Sequence, residues 1–255
     1  MKIVTLRDGD EADRLLLVHG FMGSPRDWED FVKFYPRGSR IDAVILPGHG
    51  SRPEAVCDFG STAEELARVI QKETPAATLI GYSLGGRLAL AAACQTEVQR
   101  LVLVSSTAGL QDKEERMKRR QADAILAERL KTSQTPEVFQ RFLQDWWGQA
   151  LFISLKEYPD ALKKLFARRR EHSSEALAEV LKKWSPGRQK PLWNKLRNLK
   201  CPSLFLAGEK DAKYTALAKK MATSCPNGNY KIICGAGHML HVEAPKSLAD
   251  ELTGF

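Results

Sequence analysis

Six short, largely apolar runs set the fold of this chain: residues 14–18, 43–46, 77–80, 101–104, 203–206 and 230–233. Runs of this length are too short for helices, and their near-continuous hydrophobicity is that of strands buried on both faces. Helical stretches separate them over residues 61–72, 84–94, 215–222 and from Pro245 onward. Strand alternating with helix predicts an α/β fold built on a mostly parallel, doubly wound sheet.

The alternation stops after Val104 and resumes near Cys201. The stretch between reads as helix after helix, at residues 112–130, 136–146, 158–170 and 174–184. We therefore expect residues 1–109 and 200–255 to form one core, with residues 110–199 inserted as a helical lid. Charge follows the same division. Residues 1–109 hold 12 Lys/Arg against 14 Asp/Glu, residues 110–199 hold 20 against 12, and residues 200–255 hold 7 against 5. The lid thus carries the basic excess, which suits an acidic substrate, nucleic acid or an anionic surface, or is simply the solvated side of amphipathic helices.

No apolar run approaches the length that spans a bilayer, and the first residues lack the apolar stretch of a signal peptide. These features predict a cytoplasmic protein without membrane insertion. Cys57, Cys94, Cys201, Cys225 and Cys234 are odd in number and lack C-x-x-C spacing, so we expect reduced thiols, mostly buried. No histidine pairs with a cysteine or carboxylate at metal-ligand spacing, so no metal is expected.

Gly81-Tyr82-Ser83-Leu84-Gly85 is a G-x-S-x-G segment between a predicted strand and a predicted helix, the setting of a nucleophile elbow. A serine hydroxyl reacts only when an imidazole takes its proton and a carboxylate holds that imidazole. The chain supplies both in the order this elbow requires: Asp211 in Gly208-Glu209-Lys210-Asp211, then His238 in Gly235-Ala236-Gly237-His238. Each follows a predicted strand, at the sheet edge where open α/β sheets place their sites. Glu209 is the rival acid; the expected turn favours Asp211. Two backbone N–H groups are needed for an oxyanion hole, and position assigns them to Leu84 and Phe21. His19 is expected to order its loop rather than act as a base.

His19-Gly20-Phe21, Leu46-Pro47-Gly48-His49-Gly50, the elbow and Gly235-Ala236-Gly237-His238 together resemble the α/β-hydrolase superfamily across essentially the whole chain. Ile45 departs from that pattern, standing where an aspartate often precedes Leu-Pro-Gly-His-Gly. More narrowly, the sequence is similar to the 2-succinyl-6-hydroxy-2,4-cyclohexadiene-1-carboxylate synthase family of menaquinone biosynthesis. Tyr82, Arg87, Gly109-Leu110-Gln111, Asp145-Trp146, Arg169, residues 189–193 and Gly208 to Tyr214 carry that match. The resemblance implies a cofactor-free lyase that eliminates pyruvate from a small tricarboxylate, with the triad serine acting as base. It also implies that Tyr82, Arg87, Gln111, Trp146, Arg169 and one or both of Arg116 and Arg120 contact substrate. A carboxylic ester or thioester hydrolase would use the same triad through an acyl-enzyme. A non-catalytic or nucleic-acid-binding role is disfavoured by the intact triad and by the acids interleaved with the lid's basic residues.

Overall fold

The computed structural model describes residues 1–50, 54–73 and 77–255. Strands β1 (Lys2–Arg7), β2 (Asp10–Val18) and β3 (Ser39–Ile45) come first, with a 3₁₀ turn (Pro25–Trp28) and helix α1 (Glu29–Phe34) between β2 and β3. Helix α2 (Phe59–Glu73), β4 (Thr78–Tyr82), α3 (Leu84–Ala93) and β5 (Arg100–Val104) follow. Four longer helices come next: α4 (Lys113–Thr132), α5 (Pro136–Trp147), α6 (Pro159–Arg169) and α7 (Ser174–Trp184). The short α8 (Trp193–Leu196) leads to β6 (Ser203–Gly208), α9 (Ala212–Ser224), β7 (Gly228–Ile233), α10 (Leu240–Glu243) and α11 (Pro245–Thr253).

The strands form one sheet in the order β1-β3-β2-β4-β5-β6-β7. All neighbours are parallel except β1, which pairs antiparallel with β3 at the edge. The mostly parallel, doubly wound sheet expected from the apolar runs is therefore present. Side chains alternate along each strand, so the sheet buries two cores. Leu16, Val18, Leu79, Leu101, Leu103 and Phe205 pack under α2, α3 and α9. Leu15, Leu17, Ile80, Val102, Val104 and Leu206 face the other way, onto α11 and side chains of α5, α6 and α7.

Between β5 and β6 the described chain holds helices and no strand. Each of the first three longer starts has a local cause. Asp112 accepts from the Glu115 amide ahead of α4, Thr135 caps α5 with Pro136 behind it, and α6 opens at Pro159. This segment is fixed to the core by charge: Arg169 at the end of α6 pairs with Asp27 of the 3₁₀ turn, and Arg168 pairs with Glu29 of α1.

The cysteines depart from expectation. All five are free, yet only Cys225 is buried; Cys57 and Cys234 are exposed and Cys94 and Cys201 half-buried. Apolar neighbours in sequence misled here, because Cys57 and Cys234 lie in connections, where side chains meet solvent. No helix among the described residues is long and apolar enough to cross a membrane.

Candidate active site

β4 runs straight into α3, and the reversal is sharp enough to force Ser83 to φ 51°, ψ −110°. A non-glycine residue rarely adopts that conformation, and its cost is borne where it serves a site. The flanking glycines make the turn possible. A Cβ on Gly81 would lie 2.5 Å from the Gly86 Cα, and one on Gly85 would lie 2.3 Å from the His19 carbonyl oxygen. The Ser83 amide donates to the Val104 carbonyl at 2.9 Å, and Ser106 Oγ donates to the Ser83 carbonyl at 2.8 Å. The strained residue is therefore held from both sides.

Asp211 and His238 reach Ser83 from the ends of β6 and β7. His238 Nδ1 donates to Asp211 Oδ2 at 2.6 Å, and its Nε2 lies 3.2 Å from Ser83 Oγ. Asp211 also accepts from the Tyr214 amide as the N-cap of α9, which fixes the carboxylate against the imidazole. Glu209 points elsewhere: exposed, it accepts from the Gly235 amide at 2.9 Å. The His238 loop is pinned by a residue the sequence reading passed over. Glu243, buried, accepts from the Gly237 amide at 2.7 Å and the Met239 amide at 2.9 Å, on either side of His238. Tyr214 packs on the imidazole with ring centroids 4.6 Å apart.

Leu84 is the first residue of α3, where an N–H has no intrahelical acceptor. Phe21, the other N–H candidate, lines the same cavity. Its loop is ordered by imidazoles. His19 Nδ1 donates to the Gly20 carbonyl at 2.8 Å while its Nε2 accepts from the Leu46 amide at 3.2 Å. His49 Nε2 accepts from the Met22 amide at 3.1 Å, and His172 Nε2 donates to the Met22 carbonyl at 2.8 Å. Burial lowers His19 and His172 to about 4, so both are neutral at pH 7.

The cavity over Ser83 has a volume of about 110 Å³. Its wall holds Tyr82, Arg87, Trp146 and Arg169, four residues singled out from the sequence, together with Arg119 and Tyr214. Three guanidinium groups thus gather around one serine. Arg87 is 5% exposed and has no carboxylate partner among the described residues. Its NH1 donates to Gln189 Oε1 at 2.7 Å, its NH2 donates to the Trp184 carbonyl at 2.9 Å, and it lies over the Phe59 ring. Burial, with the nearby Arg119, lowers it to about 10, which still leaves it charged at pH 7. Arg169 is paired with Asp27 at 2.8 Å. Trp146 stands edge-on to Phe21, with centroids 5.3 Å apart.

Gln111, Arg116 and Arg120 are not brought to the cavity, a correction to the sequence reading. Gln111 is exposed and accepts from Lys220 Nζ at 2.8 Å. The arginines were misassigned because α4 is polar nearly all round and its sequence does not say which face turns inward. The answer lies in Asp123: buried and four residues on, it pairs with Arg119 at 2.9 Å and so fixes Arg119, rather than Arg116 or Arg120, on the inner face.

Residues 15–251 match the alpha/beta hydrolase family. The 2-succinyl-6-hydroxy-2,4-cyclohexadiene-1-carboxylate synthase of Salmonella paratyphi B is 35% identical over 94% of this chain and 92% of its own length. The enzyme of that name from Salmonella agona is 36% identical over the same shares. Among solved structures, MenH from S. aureus superposes with a TM-score of 0.89 at 29% identity, covering 99% of this chain and 96% of the other. An esterase from Thermogutta terrifontis, at 22% identity and a TM-score of 0.81, shares the fold. The chain belongs to the alpha/beta hydrolase family and, within it, to the 2-succinyl-6-hydroxy-2,4-cyclohexadiene-1-carboxylate synthases.

Proposed function

We propose that this protein is a cofactor-independent carbon–oxygen lyase. It eliminates pyruvate from 2-succinyl-5-enolpyruvyl-6-hydroxy-3-cyclohexene-1-carboxylate to give 2-succinyl-6-hydroxy-2,4-cyclohexadiene-1-carboxylate. The observation that carries this reading is the set of Arg87, Arg119 and Arg169 around Ser83. A pocket for a neutral ester has no use for a buried guanidinium without a carboxylate, because the desolvated charge is costly until an anion arrives. A tricarboxylate supplies that anion, and guanidinium forks match carboxylate geometry.

The proposed chemistry follows from the locants. The ring C2–H lies next to the ketone of the succinyl arm, so its removal gives an enolate. Ser83 Oγ passes its proton to His238 Nε2 and takes the C2 proton. The C2 electron pair then forms C2=C3, the C3=C4 pair shifts to C4=C5, and the C5–O bond breaks. Pyruvate leaves as its enolate, receives a proton from the triad and tautomerises. The enolate oxygen on the succinyl arm is the group that the Leu84 and Phe21 N–H groups would stabilise. Asp211 keeps the imidazole oriented and stabilises its charged form. No acyl-enzyme forms.

Arg87 is assigned to one substrate carboxylate, with Arg119 and Arg169 serving the others, while Tyr82 and Trp146 bound the ring. Residues 110–199 close over the site as a lid. The five free cysteines fit a reducing compartment, and we place the enzyme in the cytoplasm, acting on a small molecule rather than on nucleic acid. Assay of the purified enzyme on enzymatically generated substrate and on p-nitrophenyl acetate tests the reading. Appearance of conjugated diene absorbance with one pyruvate per turnover supports it. Turnover of the ester near 10 per second, typical of an enzyme, with no diene from the enolpyruvyl substrate, overturns it.

A further inference from the structure

The lid's basic excess is only partly spent on the catalytic cavity. Arg119 and Arg169 line the cavity over Ser83, but Lys182, Arg188, Lys190 and Lys195 line a separate groove of about 740 Å³ that Gln189 also lines. Its apolar floor is built from Phe59, Ala63, Ala91 and Leu192. A second hollow sharing Cys94, Gln95 and Lys195 extends it toward Lys200.

The charge here is not neutralised locally. Lys182, Arg188, Lys190 and Lys195 form no ion pair among the described residues, whereas Lys183 beside them pairs with Glu179 and donates to the Val56 carbonyl. Two carboxylates, Asp58 and Glu64, line the groove against Lys182, Lys183, Arg188, Lys190 and Lys195, so its wall keeps a net positive charge. Like charges gathered on one wall raise the local potential for an anion. Gln189, 2% exposed, closes the groove toward the catalytic cavity, its Oε1 accepting from Arg87.

We propose that this groove is a second ligand site, taking an organic anion whose apolar body lies on the Phe59–Ala91 floor and whose acidic group meets the lysines and Arg188. The volume is in the range of small-molecule sites, and the cationic rim over an apolar floor fits that class rather than inorganic phosphate or a neutral lipid. Binding here is separate from the lyase reading, because none of the four cations lines the catalytic cavity.

The test titrates native protein with 8-anilinonaphthalene-1-sulfonate, followed by fluorescence and calorimetry. The expected result is one saturable site. Binding weakens at least tenfold in Lys182→Glu/Lys190→Glu, and equally in Gln95→Trp, which fills the groove from an exposed position. Trp146→Ala, on the catalytic cavity, leaves the affinity unchanged. Circular dichroism confirms that each variant is folded. Three outcomes overturn the proposal: affinity unchanged in both groove variants, affinity lost in the charge reversal but kept in Gln95→Trp, or affinity lost in Trp146→Ala, which puts the probe over Ser83.

Discussion

Lowering the pH from 7 to 5 should remove a large part of this protein's stability, because His19, His49, His172 and His241 are buried in the neutral form. Burial, the largest cause, holds His19 and His172 at about 4 and His241 at about 3, against 6.5 in the unfolded chain, and His49 is lowered well below its usual value. For these groups the unfolded state binds more protons between pH 6.5 and the folded value. Stability is therefore fully present above pH 6.5 and is lost as the pH falls. Each of His19, His172 and His241 costs about 2 kcal/mol between pH 7 and pH 5, or about 6 kcal/mol together, against a total of about 5–15 for a typical domain. Urea unfolding at the two pH values reads this directly. His241→Phe should recover about 2 kcal/mol of the loss, since its Nδ1 has no partner and a ring can still stack on Trp28. A difference below about 1 kcal/mol between the two pH values would refute the assignment of neutral buried imidazoles.

Asp27→Asn leaves Arg169 buried without its anion, and should cost about 3–5 kcal/mol in urea unfolding. Arg87→Met removes a buried cation that has no carboxylate partner but also the donor to Gln189 Oε1 and the Trp184 carbonyl; we expect a fall of about 100-fold or more in kcat/KM, since a desolvated ionic contact to substrate is worth several kcal/mol. Glu243→Gln places an amide where two backbone N–H groups need an acceptor. It should lower kcat about tenfold or more by loosening His238, with little change in KM, a split that distinguishes positioning from binding.

Much of the catalytic end of the sheet was legible because its elements report themselves locally. Apolar runs mark β2 to β7, and the glycine-rich turns after β4, β6 and β7 carry Ser83, Asp211 and His238. The strand missed altogether is β1, residues 2–7, an antiparallel edge strand whose side chains are exposed or half-buried and none fully buried. Its pairing is set by β3, a partner distant in sequence. The choice among Arg116, Arg119 and Arg120 was hidden for a related reason. Helical phase is decided by what α4 packs against, and the informative residue was a buried carboxylate, Asp123, rather than an apolar stripe. Glu243 gave no signal because its task is to accept backbone N–H groups, which any sequence provides.

The central claim is that Ser83 works as a base on a ring carbon and not as a nucleophile on a carbonyl. The direct measurement follows diene and pyruvate formation by wild type and Ser83→Ala while recording the intact mass of the wild-type protein during turnover. The account predicts equal amounts of diene and pyruvate, no mass added to the wild-type enzyme, and a loss of at least about 1,000-fold in Ser83→Ala. An acyl adduct on Ser83, or a Ser83→Ala enzyme that still forms the diene at the wild-type rate, would contradict it.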